Sequence, residues 1–174
     1  MKKITLIQPD DWHVHFRDNE MLKLVVPETD KIFGKCMVMP NLIPPIINGR
    51  MADEYKTRIK QSVRNNLKTL MTIYLTESLN PIELVKAYKR KQIFAVKLYP
   101  LGATTNSDYG IKDVENIAGI ISVMEENDIP LLIHGEDISS EVDIFDREKS
   151  FIENILTKIV DNFPNLRITL EHIT

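Results

Sequence analysis

The chain has a single cysteine, Cys36. No internal disulfide can form, which suits the reducing environment of the cytoplasm. It also lacks an excess of either charge: 22 Lys and Arg stand against 25 Asp and Glu, a net charge of −3. That near balance gives no electrostatic footprint for nucleic acid or an anionic membrane, and neither is expected as a partner. The densest basic cluster, Lys89-Arg90-Lys91, reads as the solvated end of a helix. No apolar run approaches the ~20 residues of a membrane span. Met1-Lys2-Lys3 has the look of a basic export-signal start, but the run from Ile7 to Asp11 turns polar at once, so no export signal is expected. No glycine-rich phosphate loop follows the first strand candidate, which argues against a nucleotide-binding sheet. Histidine is scarce as well, with four in all, and where those four fall is informative.

A length of 174 residues and a hydrophobic fraction of 43% fit one soluble domain with a sizeable core. Strand-like and helix-like runs alternate along the chain. The strand candidates are Asp11 to Phe16, Lys35 to Met39, Thr69 to Leu75, Ile93 to Leu98, Pro130 to His134 and Leu166 to His172. Most are short and apolar, as buried parallel strands are. Asn80-Pro81 opens a helix, with a cap residue, proline at the first helical position and Glu83 close behind. Val114, Ile117, Ile121 and Met124 form an apolar stripe at helical spacing. Ile152, Ile155, Leu156 and Ile159 form another, in a helix that should stop before Pro164. Met51, Tyr55, Ile59 and Val63 repeat the pattern less cleanly. About five βα units followed by a sixth strand predict a parallel α/β sheet with right-handed crossovers. An open doubly wound sheet and a (β/α)8 barrel compete; a full barrel takes typically ~250 residues.

Alternation along a strand puts His13 and His15 on one face, where two imidazoles can grip one metal ion. The bland alternative is a chance pair on a half-buried strand. His134 and His172 each end a strand candidate. A lone histidine there is more often a hydrogen-bonded core residue, but in parallel β/α folds the C-terminal strand edge is where chemistry gathers. All four histidines lie at or near such edges, so one shared site explains them together. Lys97 sits in the apolar run from Phe94 to Leu98. A buried ammonium tends to lose its proton, and a neutral amine can form a Schiff base or take up carbon dioxide as a carbamate. Alternatively the side chain points outward or reaches the rim. Arg17 offers a fork for a carboxylate, or pairs with Asp18. Asn41 sits at the mouth of the second strand, or shapes the turn before Pro44-Pro45.

The runs DWHVHFRD from Asp11, VMPNLIPP from Val38, VKLYP from Val96, ATTNS from Ala103, LIHGE from Leu132, DIFDRE from Asp143 and LEHIT from Leu170 resemble, in this order, the dihydroorotases of single-domain bacterial type in the amidohydrolase superfamily. The resemblance spans essentially the whole chain. It implies a (β/α)8 TIM-barrel fold, here the N-terminal part of one amidohydrolase domain over residues 1–174, with the C-terminal strands absent. It implies the reversible cyclisation of the small-molecule substrate N-carbamoyl-L-aspartate to L-dihydroorotate in pyrimidine biosynthesis. Carried over by residue, His13 and His15 would bind one zinc, and His134 and His172 a second. Lys97, carbamylated, would bridge the two. Arg17 and Asn41 would hold the substrate carboxylate, with Thr104 and Thr105 in a loop beside the substrate. His15 and His134 would also lie against it.

The family's general acid/base aspartate would lie beyond Thr174. No residue here takes its place: Asp11 and Asp18 do not match it, and Glu171 should face away from His172. The chain alone is therefore expected to have little activity. The alternative reading is a non-catalytic half-barrel that binds metal weakly or acts as an interaction module. Open strand edges would also favour a homo-oligomer or a complementary half-barrel. A hydantoinase or allantoinase is disfavoured by Arg17 with Asn41 and by the ATTNS loop.

Overall fold

The computed structural model describes residues 3–172. Met1 and Lys2 of the basic start, and Ile173 and Thr174 of the LEHIT run, lie outside the described residues. Six parallel strands appear where the sequence places them: β1 (Asp11–Val14), β2 (Lys35–Val38), β3 (Lys68–Tyr74), β4 (Ala95–Leu98), β5 (Leu131–His134) and β6 (Ile168–Glu171). They are hydrogen-bonded in the order β1-β2-β3-β4-β5-β6. A doubly wound sheet reverses its strand order at a switch point. This one never does, so it curls one way into a half-barrel, and the competition left open by the sequence resolves toward the barrel.

Side-chain parity divides the sheet into two faces. Cys36, Val38, Met71, Ile73, Val96, Leu98, Leu131 and Ile133 pack outward in the main core beneath the helices. Met37, Met39, Ala95 and Leu132 form a separate inner cluster. Lys97 is two residues beyond Ala95 and therefore shares the inner face. Burial pushes the Cys36 thiol up to about 12, which leaves it an inert core residue.

The helices follow from their caps. Asp18 opens α1 (Asn19–Ile32), Asn48 opens α2 (Gly49–Lys60) by accepting from Met51 N at 2.9 Å, and Asn80 opens α3 (Pro81–Lys89) by accepting from Ile82 N and Glu83 N. Helix α1 has no clean apolar signature in the sequence, because Pro27 interrupts its pattern. The stripe from Val114 to Met124 divides into a 3₁₀ turn (Val114–Ile117) and α4 (Ala118–Glu126). The stripe from Ile152 to Ile159 is likewise not one regular helix. Helix α5 (Arg147–Phe151) passes through a π turn (Ile152–Leu156) into α6 (Thr157–Asn162). A π turn adds a residue per turn and slips the helical phase, so Phe151 is buried while Ile152 is 41% exposed. Among the described residues, no helix is long and apolar enough to cross a membrane.

Candidate metal centre

Every candidate metal ligand of the sequence gathers at the C-terminal rim of the strands. His13 is in β1 and His15 just beyond it, and their Nε2 atoms face each other at 3.0 Å. His134 ends β5 and His172 follows β6; His134 Nδ1 lies 3.1 Å from His172 Nε2. The pairs are joined through His13 and His172, whose ring centroids are 5.1 Å apart. Strands β1 and β6 are the two ends of the sheet, so these side chains meet across the barrel interior.

The outer edges of two rings are tied down. His15 Nδ1 donates to Asn41 Oδ1 at 2.8 Å, and His134 Nε2 donates to Glu136 Oε1 at 2.9 Å. Each bond places the proton on the outer nitrogen and leaves the inner nitrogen a free lone pair, the arrangement that prepares a histidine for a metal. Two lone-pair nitrogens around 3 Å apart repel unless a proton or a cation lies between them. Adjacent histidine nitrogens on a tetrahedral zinc, with Zn–N of about 2.0–2.1 Å, are about 3.3 Å apart. The two pairs therefore fit a metal by donor chemistry and by spacing.

The site resists protonation. Burial, with His13 and Arg17 next, lowers His15 to about 4. Burial and the neighbouring His172 push His134 down, and burial and Lys97 push His172 down. Neutral imidazoles are the form a metal requires. Lys97 is fully buried, so the outward and rim placements do not occur. Its Nζ pairs with Glu171 Oε2 and lies 5.0 Å from the Tyr99 ring centroid. Burial lowers its pKa, and Glu171 offsets part of that effect.

Glu171 corrects the sequence reading. It does not face away but is buried inside, with Oε2 on Lys97 and Oε1 3.1 Å from His13 Nδ1. Strand β6 ends at Glu171, and His172 has φ +39°. Strict alternation therefore stops between them, and adjacent side chains reach the same site. Burial opposes ionisation of Glu171, but His13 and Lys97 outweigh it and hold the carboxyl below its ordinary range.

Arg17 does not pair with Asp18, whose carboxylate is taken by Arg58 at 2.9 and 3.0 Å. Its Nη1 is buried with no hydrogen-bond partner among the described residues. The Asn41 amide is engaged at both ends: Oδ1 with His15, and Nδ2 donating to Thr105 O at 2.9 Å. Asn106 Nδ2 in turn donates to Asn41 O, so the loop carrying Thr104 and Thr105 is tied to the site through Asn41. The two threonines themselves are exposed. Three residues that the sequence reading missed complete the surroundings: Glu136 beside His134, and Tyr74 and Tyr99. The tyrosine hydroxyls are buried without partners among the described residues. Tyr74 and Tyr99 share the inner parity with Lys97, a signal that was available in the sequence.

The comparisons with known proteins agree with this geometry. No protein-family model matches the chain. A dihydroorotase of Pseudoalteromonas atlantica is 49% identical over all of this chain and 51% of its own length, and one of Shewanella amazonensis is 48% identical with the same coverage. Among solved structures, dihydroorotase from Campylobacter jejuni superposes with a TM-score of 0.88 at 39% identity, covering 96% of this chain and 48% of the other. Dihydroorotase from Saccharomyces cerevisiae in complex with 5-fluoroorotic acid gives 0.87 at 35%, covering 95% and 48%. An L-hydantoinase from Arthrobacter aurescens, 16% identical with a TM-score of 0.61, shares the fold alone. The chain is thus similar to dihydroorotases over its whole length, matching an N-terminal portion of them and spanning about half the length of the curated relatives it matches.

Proposed function

We propose that the rim cluster is the zinc-binding part of a dihydroorotase site, acting in the cytoplasm on N-carbamoyl-L-aspartate and L-dihydroorotate. The observation that carries this reading is the pair of converging imidazole couples around one fully buried lysine. In this reading His13 and His15 would hold one zinc and His134 and His172 a second, with Lys97, once released from Glu171 and carbamylated, supplying a shared carboxylate. When bound, zinc supplies Lewis acidity that lowers the pKa of water and polarises an amide carbonyl. The chain's own residues do the rest. Asn41 and Glu136 keep the protons of His15 and His134 on the outer edges. The orphaned Arg17 Nη1 offers a buried cationic donor to a substrate carboxylate. Asn41 Nδ2 gives one N–H to Thr105 O and keeps the second as a donor for that substrate. The Thr104–Thr105 backbone forms the adjoining wall.

The carboxylates against the imidazole cluster, Glu171 and Glu136, are both paired. Neither is free to move a proton, so turnover by this chain alone should be weak. The open edges of β1 and β6 favour, as the second reading, a half-barrel that works through association with another copy or a complementary chain. Elemental analysis on a monodisperse sample, with added zinc and bicarbonate, tests the metal assignment. About one to two zincs per chain are expected, the range of a binuclear site. A value near zero in a folded sample overturns it. Interconversion of the two substrates that a chelator abolishes would overturn the non-catalytic alternative.

A further inference from the structure

We propose that a basic cavity at the N-terminal end of the strands, opposite the metal centre, binds a nucleoside triphosphate. The site is independent of the dihydroorotase reading. Thr69, Leu70 and Met71 at the start of β3, with Ile93 and Phe94 just before β4, form its floor. Lys56 of α2, Lys89 at the end of α3 and Lys91 just beyond it stand around that floor. The volume is about 580 Å³, inside the ~300–1,000 Å³ of small-molecule sites.

Charge points to the kind of ligand. The chain as a whole has a net charge of −3, yet three lysines and no Asp or Glu line this cavity. None of the three ammonium groups has an ion pair or hydrogen bond among the described residues. Acids that touch the lining are committed elsewhere. Asp53 accepts from Gln92 Nε2 at 2.5 Å, and Asp128 pairs with Arg167. Gathered like charges repel, and a multivalent anion among them replaces that repulsion with attraction. Lysine grips phosphate as a point charge, and three lysines suit a polyphosphate. The floor adds a second requirement. Phe94 is 38% exposed, although Met71 and Ile93 beside it in the floor are buried. A flat ring stacked on it covers that apolar surface, and such stacking tolerates any base. Inorganic polyphosphate would use the lysines alone, whereas a nucleoside triphosphate uses both features. The Lys89-Arg90-Lys91 cluster thus does more than solvate a helix end. Lys91 takes φ +58°, turning the chain out of α3, and lines the same cavity as Lys89.

Titration of the 174-residue chain with methylanthraniloyl-ATP, followed by its fluorescence, tests this. EDTA is present throughout, so that no ion at the rim can hold the phosphates. Wild type should take up one nucleotide per chain. ATP should displace it roughly tenfold more effectively than either tripolyphosphate or adenosine, each of which offers only part of the contacts. Lys89→Glu with Lys91→Glu should weaken binding roughly tenfold or more. Phe94→Ser should weaken it by a similar factor. Both lysines are exposed, so their double variant keeps the fold. Lys112→Glu with Lys158→Glu, at exposed lysines outside this cavity, makes the same change in net charge and should bind as wild type does. Four results would each overturn the proposal: no binding by wild type, displacement by tripolyphosphate as effective as by ATP, undiminished binding by Phe94→Ser, or equal binding by the two double-lysine variants. The zinc content that tests the metal centre does not depend on this cavity, so the two readings fail separately.

Discussion

Asp30 and Lys97 are two charged residues buried to a similar degree, at 2% and 0% exposure, in two regions of the molecule that treat charge in opposite ways. Asp30 lies in α1 and accepts three backbone N–H groups from the loop after α2: Arg64 and Asn65 at 2.7 Å, and Leu67 at 3.0 Å. Asn65 Nδ2 returns a bond to its carbonyl. Both carboxylate oxygens face fixed donors of the main chain, and the corner is closed. Lys97 has one carboxylate, which it shares with His13, and around it are imidazole nitrogens aimed at one another. A buried charge saturated by backbone is structural. A buried charge amid convergent, unsaturated donors is prepared for something to arrive.

The largest expected effect comes from breaking the open region. Lys97→Met alone leaves Glu171 charged and buried, and should reduce stability by about 3–5 kcal/mol. Adding Glu171→Leu should restore most of that, because an apolar pair removes both desolvation penalties. Urea midpoints of the single and double variants measure this. A double variant no more stable than the single would mean that the pair holds the fold rather than the site.

The closed region should fail next. Asp30→Ala leaves three buried N–H groups without acceptors and should cost roughly 2–4 kcal/mol in urea unfolding. Burial raises the Asp30 pKa, but the backbone donors outweigh it and bring the value below its ordinary 3.8. A depressed carboxyl stabilises fully above its unfolded value and ceases to do so as pH falls through its folded value. Wild type should therefore lose stability relative to Asp30→Ala below about pH 4, and the two acid-unfolding curves should converge. Parallel curves would contradict the role given to the carboxylate. The smallest effect belongs to Arg58→Ala at the partly exposed pair with Asp18. It should change stability by only ~0.2–1 kcal/mol, and less in high salt. A larger loss would mean that even this rim pair is buried in effect.

The succession of strands along the chain and the position of the four histidines at or near strand ends were legible in the sequence. Both rest on short-range rules: period-two alternation, cap residues, and histidines at the ends of apolar runs. The sequence does not decide between the open sheet and the barrel, nor does it place Lys97. The placement of Glu171 was not legible. Alternation assumes a continuing strand, and β6 stops one residue before His172 takes a positive φ. Helix α1 was obscured by Pro27, and the stripe from Ile152 was shifted by a π turn.

By itself the sequence determined which side chains share a face within each strand, because the strand period is a local property of the backbone. It also put His13 and His15 on one face, since they are two residues apart. Only the tertiary structure decided that β1 and β6 bring His13, Glu171 and His172 into contact. His13 is separated from the other two by most of the chain, and the curl of the sheet, summed over six strands, sets the distance between its two ends.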